Sequence, residues 1–395
     1  MRTGAFGIDV KMPPTAQSPV GQNVGDLKSA TLIVALILVA ACGASSTATK
    51  QSPLASPSAS ASAAQPPSSP TASQQASPSA PAVGGYEALV TVGSADTYAV
   101  SLVGVDGKVV ASAQPSSPTQ VTCGDAAAAV LPPPVSTSNT RVYFLDQQGN
   151  VNFLTPNGET GQEYRLPTGG STRSLFAVSP DDSLIAVVVI TFTANGATTK
   201  LYMDQLLPGG SQKLLFTQTG AYTLWPIGWH GTDNLVLAKV PACTQGGGPL
   251  CCGPLELHVV DPSTAARRFT IGSSQCVIAG MPSPAGAVCE NSPAFSQASV
   301  LDWTGHTVRS FAVQGPTSAY LSPDGRAVAL VDSSSTTFEG AKQTLDLLAC
   351  GWIDSTHVIA GGDTQQQPRV GDITTGSLLP VAAQGICGGR IPGGL

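Results

Sequence analysis

The chain has 395 residues, and only 11% are charged, with a formal net charge of −6. Its 43 glycines and 32 prolines interrupt any long helical pattern, which excludes a helical bundle or coiled coil. An acidic, charge-poor surface offers no basic stripe to neutralise phosphates, so nucleic acid is not an expected partner.

Ala30–Ala41 (ATLIVALILVAA), preceded by Lys28, is one apolar run of about a dozen residues, well short of the roughly 20 that a spanning helix needs. This is the length of the hydrophobic core of an export signal. The run leads into Leu38-Val39-Ala40-Ala41-Cys42-Gly43. Small residues directly before a cysteine resemble the lipobox of bacterial lipoproteins. The resemblance implies cleavage before Cys42 and a lipid on its thiol. It also implies a chain held on the extracytoplasmic face of the cell membrane. The expected organisation is a signal peptide over 1–41, then the lipidated Cys42 with a linker over 42–84, then a folded domain over 85–395. The linker is almost wholly Ser, Ala, Pro, Gln and Thr, with Lys50 as its one charge. So few large apolar groups cannot offset chain entropy, and proline stiffens the segment into a tether.

Nine cysteines are present; setting Cys42 aside leaves Cys123, Cys243, Cys251, Cys252, Cys276, Cys289, Cys350 and Cys387. An even set behind an export signal reads as disulfides formed in an oxidising compartment. Zinc at Cys243, Cys251 and Cys252 is disfavoured because paired C-x-x-C units are lacking.

Within 85–395 two turn motifs alternate. In the first, Ser-Pro opens a tight turn between apolar strands: FAVSPDDSLIAV at Phe176–Val187, MPSPAGAVC at Met281–Cys289 and AYLSPDGRAVAL at Ala319–Leu330. Two variants carry Gly-Trp instead, GWHGTDNLVL at Gly228–Leu237 and GWIDSTHVIA at Gly351–Ala360. In the second motif a strand ends in aspartate before a polar turn, at Asp106, Asp146, Asp204, Asp261, Asp302 and Asp372. These aspartates read as turn formers rather than catalytic groups.

An inner hairpin followed by an outer hairpin makes a four-stranded antiparallel sheet, and its repetition about every 40–50 residues signals a β-propeller. The Ser322-Pro323-Asp324-Gly325 turn and its degenerate copies resemble the Tol-B-like and WD-repeat-like propellers of bacteria. That likeness implies a scaffold and no particular reaction. The expected blades are Glu87–Ala113 with three strands, Gln120–Leu166, Thr172–Phe216, Ala221–Ile271, Gln275–Val313, a short-changed Ser318–Asp332, and Leu347–Val381. The fold is therefore all-β, a propeller of seven blades with six as the alternative. Gly385–Ile391 is left over and is expected to supply the missing inner strand of the first blade, closing the ring.

This arrangement places Cys123 and Cys387 on neighbouring inner strands, so a bond between them is expected to lock the ring. Cys276 and Cys289 flank one hairpin and are expected to pair. Cys243 is assigned to Cys251 or Cys252, with Cys350 taking the other. No G-x-S-x-G, H-E-x-x-H, P-loop or dinucleotide fingerprint occurs, and His230, His258, His306 and His357 stand singly. No catalytic residue, metal ligand or cofactor is assigned. Trp229 and Trp352 are the candidate ligand platform, against the plainer role of packing between blades. The expected function is a membrane-anchored binding or scaffold module for a protein, peptide or glycan. The alternative is an exported propeller enzyme of lactonase, glycosidase or quinone-dependent dehydrogenase type.

Overall fold

The computed structural model describes residues 85–92, 96–119, 132–193, 196–207, 212–242, 256–362 and 366–395. Cys42, Cys123, Cys243, Cys251 and Cys252, the signal segment and the linker all lie outside the described residues.

Seven four-stranded antiparallel sheets form a ring, a seven-bladed β-propeller. Blade 1 runs from the axis outwards as Ile386–Ile391, Tyr86–Val92, Tyr98–Gly104 and Val109–Ala113. The other six blades each use four strands consecutive in sequence. Their innermost strands are Val135–Thr137, Thr172–Val178, Tyr222–His230, Cys276–Ile278, Ser318–Leu321 and Gly351–Trp352 for blades 2 to 7. Blade 6, expected to lack room for its outer hairpin, completes it with the very short strands Thr336–Glu339 and Thr344–Leu345.

Alternation within the strands explains why they pack. In Val142–Leu145 and Ile185–Val188 both faces are apolar and buried, because each blade is covered by a neighbour on either side. The outermost strands, such as Thr160–Arg165 and Thr307–Ala312, mix half-buried and exposed positions, with none buried, and face solvent.

The repeated turns are specified by side-chain hydrogen bonds. Ser322 is fully buried; its Oγ donates to Asp324 Oδ1 at 2.7 Å and accepts from Ala327 N at 3.0 Å. Ser179 does the same with Asp181 at 2.6 Å and Leu184 N at 2.9 Å. The position filled by Gly325 (φ 74°) is filled by Asp182 (φ 60°) in blade 3. Asp182 offsets that left-handed backbone by accepting from Tyr143 Oη at 2.8 Å and Thr140 Oγ1 at 2.7 Å, both in blade 2.

Five of the six expected aspartate turns behave as such. For example, Asp302 Oδ1 accepts from Thr304 N at 2.9 Å and His306 N at 3.0 Å. In Asp372, burial pushes the carboxyl up, but the hydrogen bonds from Thr374 and Thr375 outweigh it and hold the group down at about 2. Asp204 differs. It accepts from Tyr164 Oη at 2.6 Å and so ties blade 3 to blade 2, which turn chemistry alone does not reveal.

Closure occurs as expected: Ile386–Ile391 pairs antiparallel with Tyr86–Val92, with Tyr86 opposite Ile391 and Leu89 opposite Cys387. The clasp differs from the expected one. Cys387 is bonded to Cys350 of blade 7, with Cα atoms 5.6 Å apart, and not to Cys123. The inner strand of blade 1 has blade 2 on one side and blade 7 on the other. Its sulfur faces blade 7, where Gly351 has no side chain and an added Cβ would lie 3.2 Å from Cys387 Sγ. This bond also removes Cys350 as a partner for Cys251 or Cys252. Cys276 and Cys289 are joined across the inner hairpin of blade 5, as expected, with a Cα separation of 5.2 Å.

Candidate functional site

Where the seven inner strands converge, the channel retains a cavity of about 110 Å3. Trp229 and Trp352 both contribute to its wall, so the two aromatic residues singled out in the sequence do meet at one place. They are not open platforms. Trp229 is 1% exposed and its Nε1 donates to Ala177 O of blade 3 at 3.2 Å. Trp352 is 4% exposed and its Nε1 donates to Tyr320 O of blade 6 at 2.9 Å. Each indole is therefore a peg driven into the preceding blade, with one edge reaching the channel.

The glycines beside these tryptophans have positional reasons. The strand bulges between Pro226 and Gly228, and Gly228 takes φ 152°. A Cβ there would stand 2.8 Å from Leu395 Cδ1. Leu395 belongs to a short run, residues 392–395, that leaves blade 1 and crosses one end of the ring. Gly393 N donates to Ser138 O of blade 2 at 2.8 Å. Leu395 N donates to Trp229 O at 2.6 Å, and His230 Nδ1 donates to Leu395 O at 2.6 Å. The His230 ring is itself held by stacking on Trp303, with centroids 4.9 Å apart. The run thus reaches from blade 1 past blades 2 and 3 to blade 4, and Gly394 and Leu395 line the channel cavity.

One ionisable group dominates the channel wall. Glu87, on the second strand of blade 1, is 2% exposed. Its Oε1 accepts from Gly389 N at 2.9 Å. Burial pushes its carboxyl up to about 8, against the opposing pull of that backbone hydrogen bond and of Arg390. Arg390 is its cross-strand partner in register, and burial likewise draws the guanidinium below its usual range. A carboxyl that keeps its proton near neutrality can donate a hydrogen bond or act as an acid. The one clue in the sequence was an acid inside the apolar string Tyr86-Glu87-Ala88-Leu89-Val90.

The remaining histidines serve local structure. His258 Nε2 contacts Glu256 at 2.9 Å, and His357 lies in the Asp354 turn. Among the described residues, no group of three or more His, Cys, Asp or Glu side chains could hold a metal ion.

No family model matches the sequence, and no curated protein matches it. Similar solved structures include the dihydro-heme d1 dehydrogenase NirN in complex with DHE, at 14% identity and a TM-score of 0.41, over 78% of this chain and 75% of that one. Prolyl oligopeptidase B from Galerina marginata is similar at 11% identity and a TM-score of 0.37; 75% of this chain spans 42% of that protein. Kluyveromyces lactis Hsv2 is similar at 12% identity and a TM-score of 0.31, over 60% of this chain and 92% of that one.

Proposed function

We propose that the chain is a lipoprotein of the extracytoplasmic membrane face, in which lipid on Cys42 anchors a Ser/Pro-rich tether and the propeller binds a protein, peptide or glycan. The observation that carries the binding role is the state of the channel. At about 110 Å3 it is smaller than the roughly 300–1,000 Å3 of ordinary small-molecule sites, and residues 392–395 lie across one end. Recognition then falls to the broad faces of the ring, where loops of several blades are presented together. The Ser-Pro-Asp-Gly turns, similar to those of Tol-B-like propellers, support the same scaffold role. Metabolic labelling with a fatty-acid analogue tests the anchor. Label and membrane association are expected in the wild type and absent in Cys42→Ser. Crosslinking on intact cells should then recover the same partner from the wild type, and not from a secreted Cys42→Ser form present at equal amount in the medium.

Glu87 favours the second reading, an exported enzyme. A protonated carboxyl at the channel wall is a suitable general acid for lactone or glycoside cleavage. Turnover of such substrates, lost in Glu87→Gln, would replace the binding role with the catalytic one.

A further inference from the structure

The cleft between blades 2 and 3 contains a further cavity of about 300 Å3, which shares no lining residue with the channel cavity of about 110 Å3. Arg173, on the innermost strand of blade 3, forms part of its wall and is 8% exposed. Its Nε is buried without a hydrogen-bond partner, and among the described residues no side chain or carbonyl bonds the guanidinium. Burial draws the group down to about 10, so it is still a cation at neutral pH. A buried charge with no hydrogen-bonded or ion-paired partner is among the costliest features a fold can retain.

Asp146 and Ser174, which share the wall, are already hydrogen-bonded. Asp146 Oδ1 accepts from Gln148 N and Asn150 N, each at 2.9 Å, and its Oδ2 accepts from Asn150 Nδ2 at 3.0 Å and Asn152 Nδ2 at 3.2 Å. Ser174 Oγ donates to Pro167 O at 2.6 Å. Among the described residues of this wall, Arg173 Nε is the buried side-chain donor left without a partner. The rim is open at Gly170, where an added Cβ would meet nothing within 4 Å.

We propose that this cavity is a binding site for a monocarboxylate, whose two oxygens accept from the Arg173 guanidinium. The planar fork of arginine matches a carboxylate with two parallel hydrogen bonds. A dianion such as phosphate fits less well, because the Asp146 carboxylate shares the wall and one guanidinium neutralises one charge. The site is independent of the partner proposed for the ring face.

The test uses the full chain in thermal unfolding at constant ionic strength, with acetate, acetyl-glutamate amide, inorganic phosphate and chloride as probes. Either carboxylate is expected to raise the midpoint saturably, with a half-saturating concentration at least tenfold below those of phosphate and chloride. The tighter of the two distinguishes a free small acid from a peptide-borne one. Arg173→Gln should abolish the effect, and Arg173→Lys should weaken it about tenfold. Nitrogen-15 spectra of the wild type supply a readout that needs no variant to fold. One arginine Nε–H signal should move on titration with acetate and not with chloride. Equal responses to acetate and chloride, or no moving arginine signal, would overturn the proposal.

Discussion

Cys350 and Cys387 join blade 7 to the inner strand of blade 1 across a Cα distance of 5.6 Å, beside the seam at which Ile386–Ile391 pairs with Tyr86–Val92. Strand pairing closes the circle, and the covalent bond fixes the closing strand to blade 7. The bond spans 37 residues, which corresponds to about 3–4 kcal/mol of loop-closure stabilisation. Cys276–Cys289 spans 13 and corresponds to about 1 kcal/mol less. Cys350→Ser is expected to lower the urea midpoint more than Cys289→Ser when each partner is also changed to serine. Non-reducing peptide mapping should recover the peptide containing Cys350 joined to the one containing Cys387.

Glu87 makes stability depend on pH with a definite sign. Its carboxyl titrates near 4.5 in the unfolded chain and about 8 in the ring, so the folded state holds the extra proton between those values. Stability must fall as pH rises through that window and level off above it. Burial also raises Glu290, on the second strand of blade 5, so the wild-type curve contains both groups. Comparison with Glu87→Gln isolates the first. The variant should match the wild type near pH 4 and exceed it by as much as about 5 kcal/mol near pH 9, as measured by chemical denaturation. A constant difference across pH would contradict the assignment.

The two tryptophans should behave as structural pegs. Phenylalanine at either position keeps most of the apolar volume but leaves a carbonyl of the preceding blade, Ala177 O or Tyr320 O, without its donor. Trp229→Phe and Trp352→Phe are each expected to cost about 1–2 kcal/mol. Trp229→Ala should cost about 3–5 kcal/mol. Calorimetry on the three variants checks the order.

Much of the ring was legible in the sequence because its turns are written in side chains. The buried serine and following aspartate of Ser322-Pro323-Asp324-Gly325 return at Ser179 and Asp181 in blade 3, with a degenerate copy at Ser283 in blade 5, and Gly385–Ile391 was the unclaimed strand next to a three-stranded opening blade. The clasp was less legible. An inner strand has two neighbours, and which one Cys387 faces depends on twist and on the bare Gly351, neither of which follows from counting residues. Glu87 and Arg173 were missed for a related reason. In an alternating strand a single charged residue reads as solvent-facing, whereas inner and second strands of a propeller have no solvent face. Trp229 and Trp352 stood out in the sequence by their shared Gly-Trp context, and only the packed structure shows that their faces are spent between blades.

Asp182 offers a graded test of how turn chemistry and blade contact combine. At φ 60° alanine suffers a backbone penalty that glycine escapes, while both lose the bonds from Tyr143 and Thr140. Asparagine tolerates the conformation and retains an acceptor. The expected order of destabilisation is Asn below Gly below Ala, with about 1 kcal/mol between the last two. Denaturant midpoints for the three variants measure it.

The segment entering the ring also has a mechanical meaning. Tyr86–Val92 is bonded along both edges, to Tyr98–Gly104 on one side and to Ile386–Ile391 on the other. Tension applied through Gly85 would load those two ladders in shear, along the strand, where many bonds must yield at once. The sulfur bridge from Ile386–Ile391 to blade 7 would spread the load further round the wheel. A domain tugged at this end is gripped by two ladders at once rather than peeled from a loose edge.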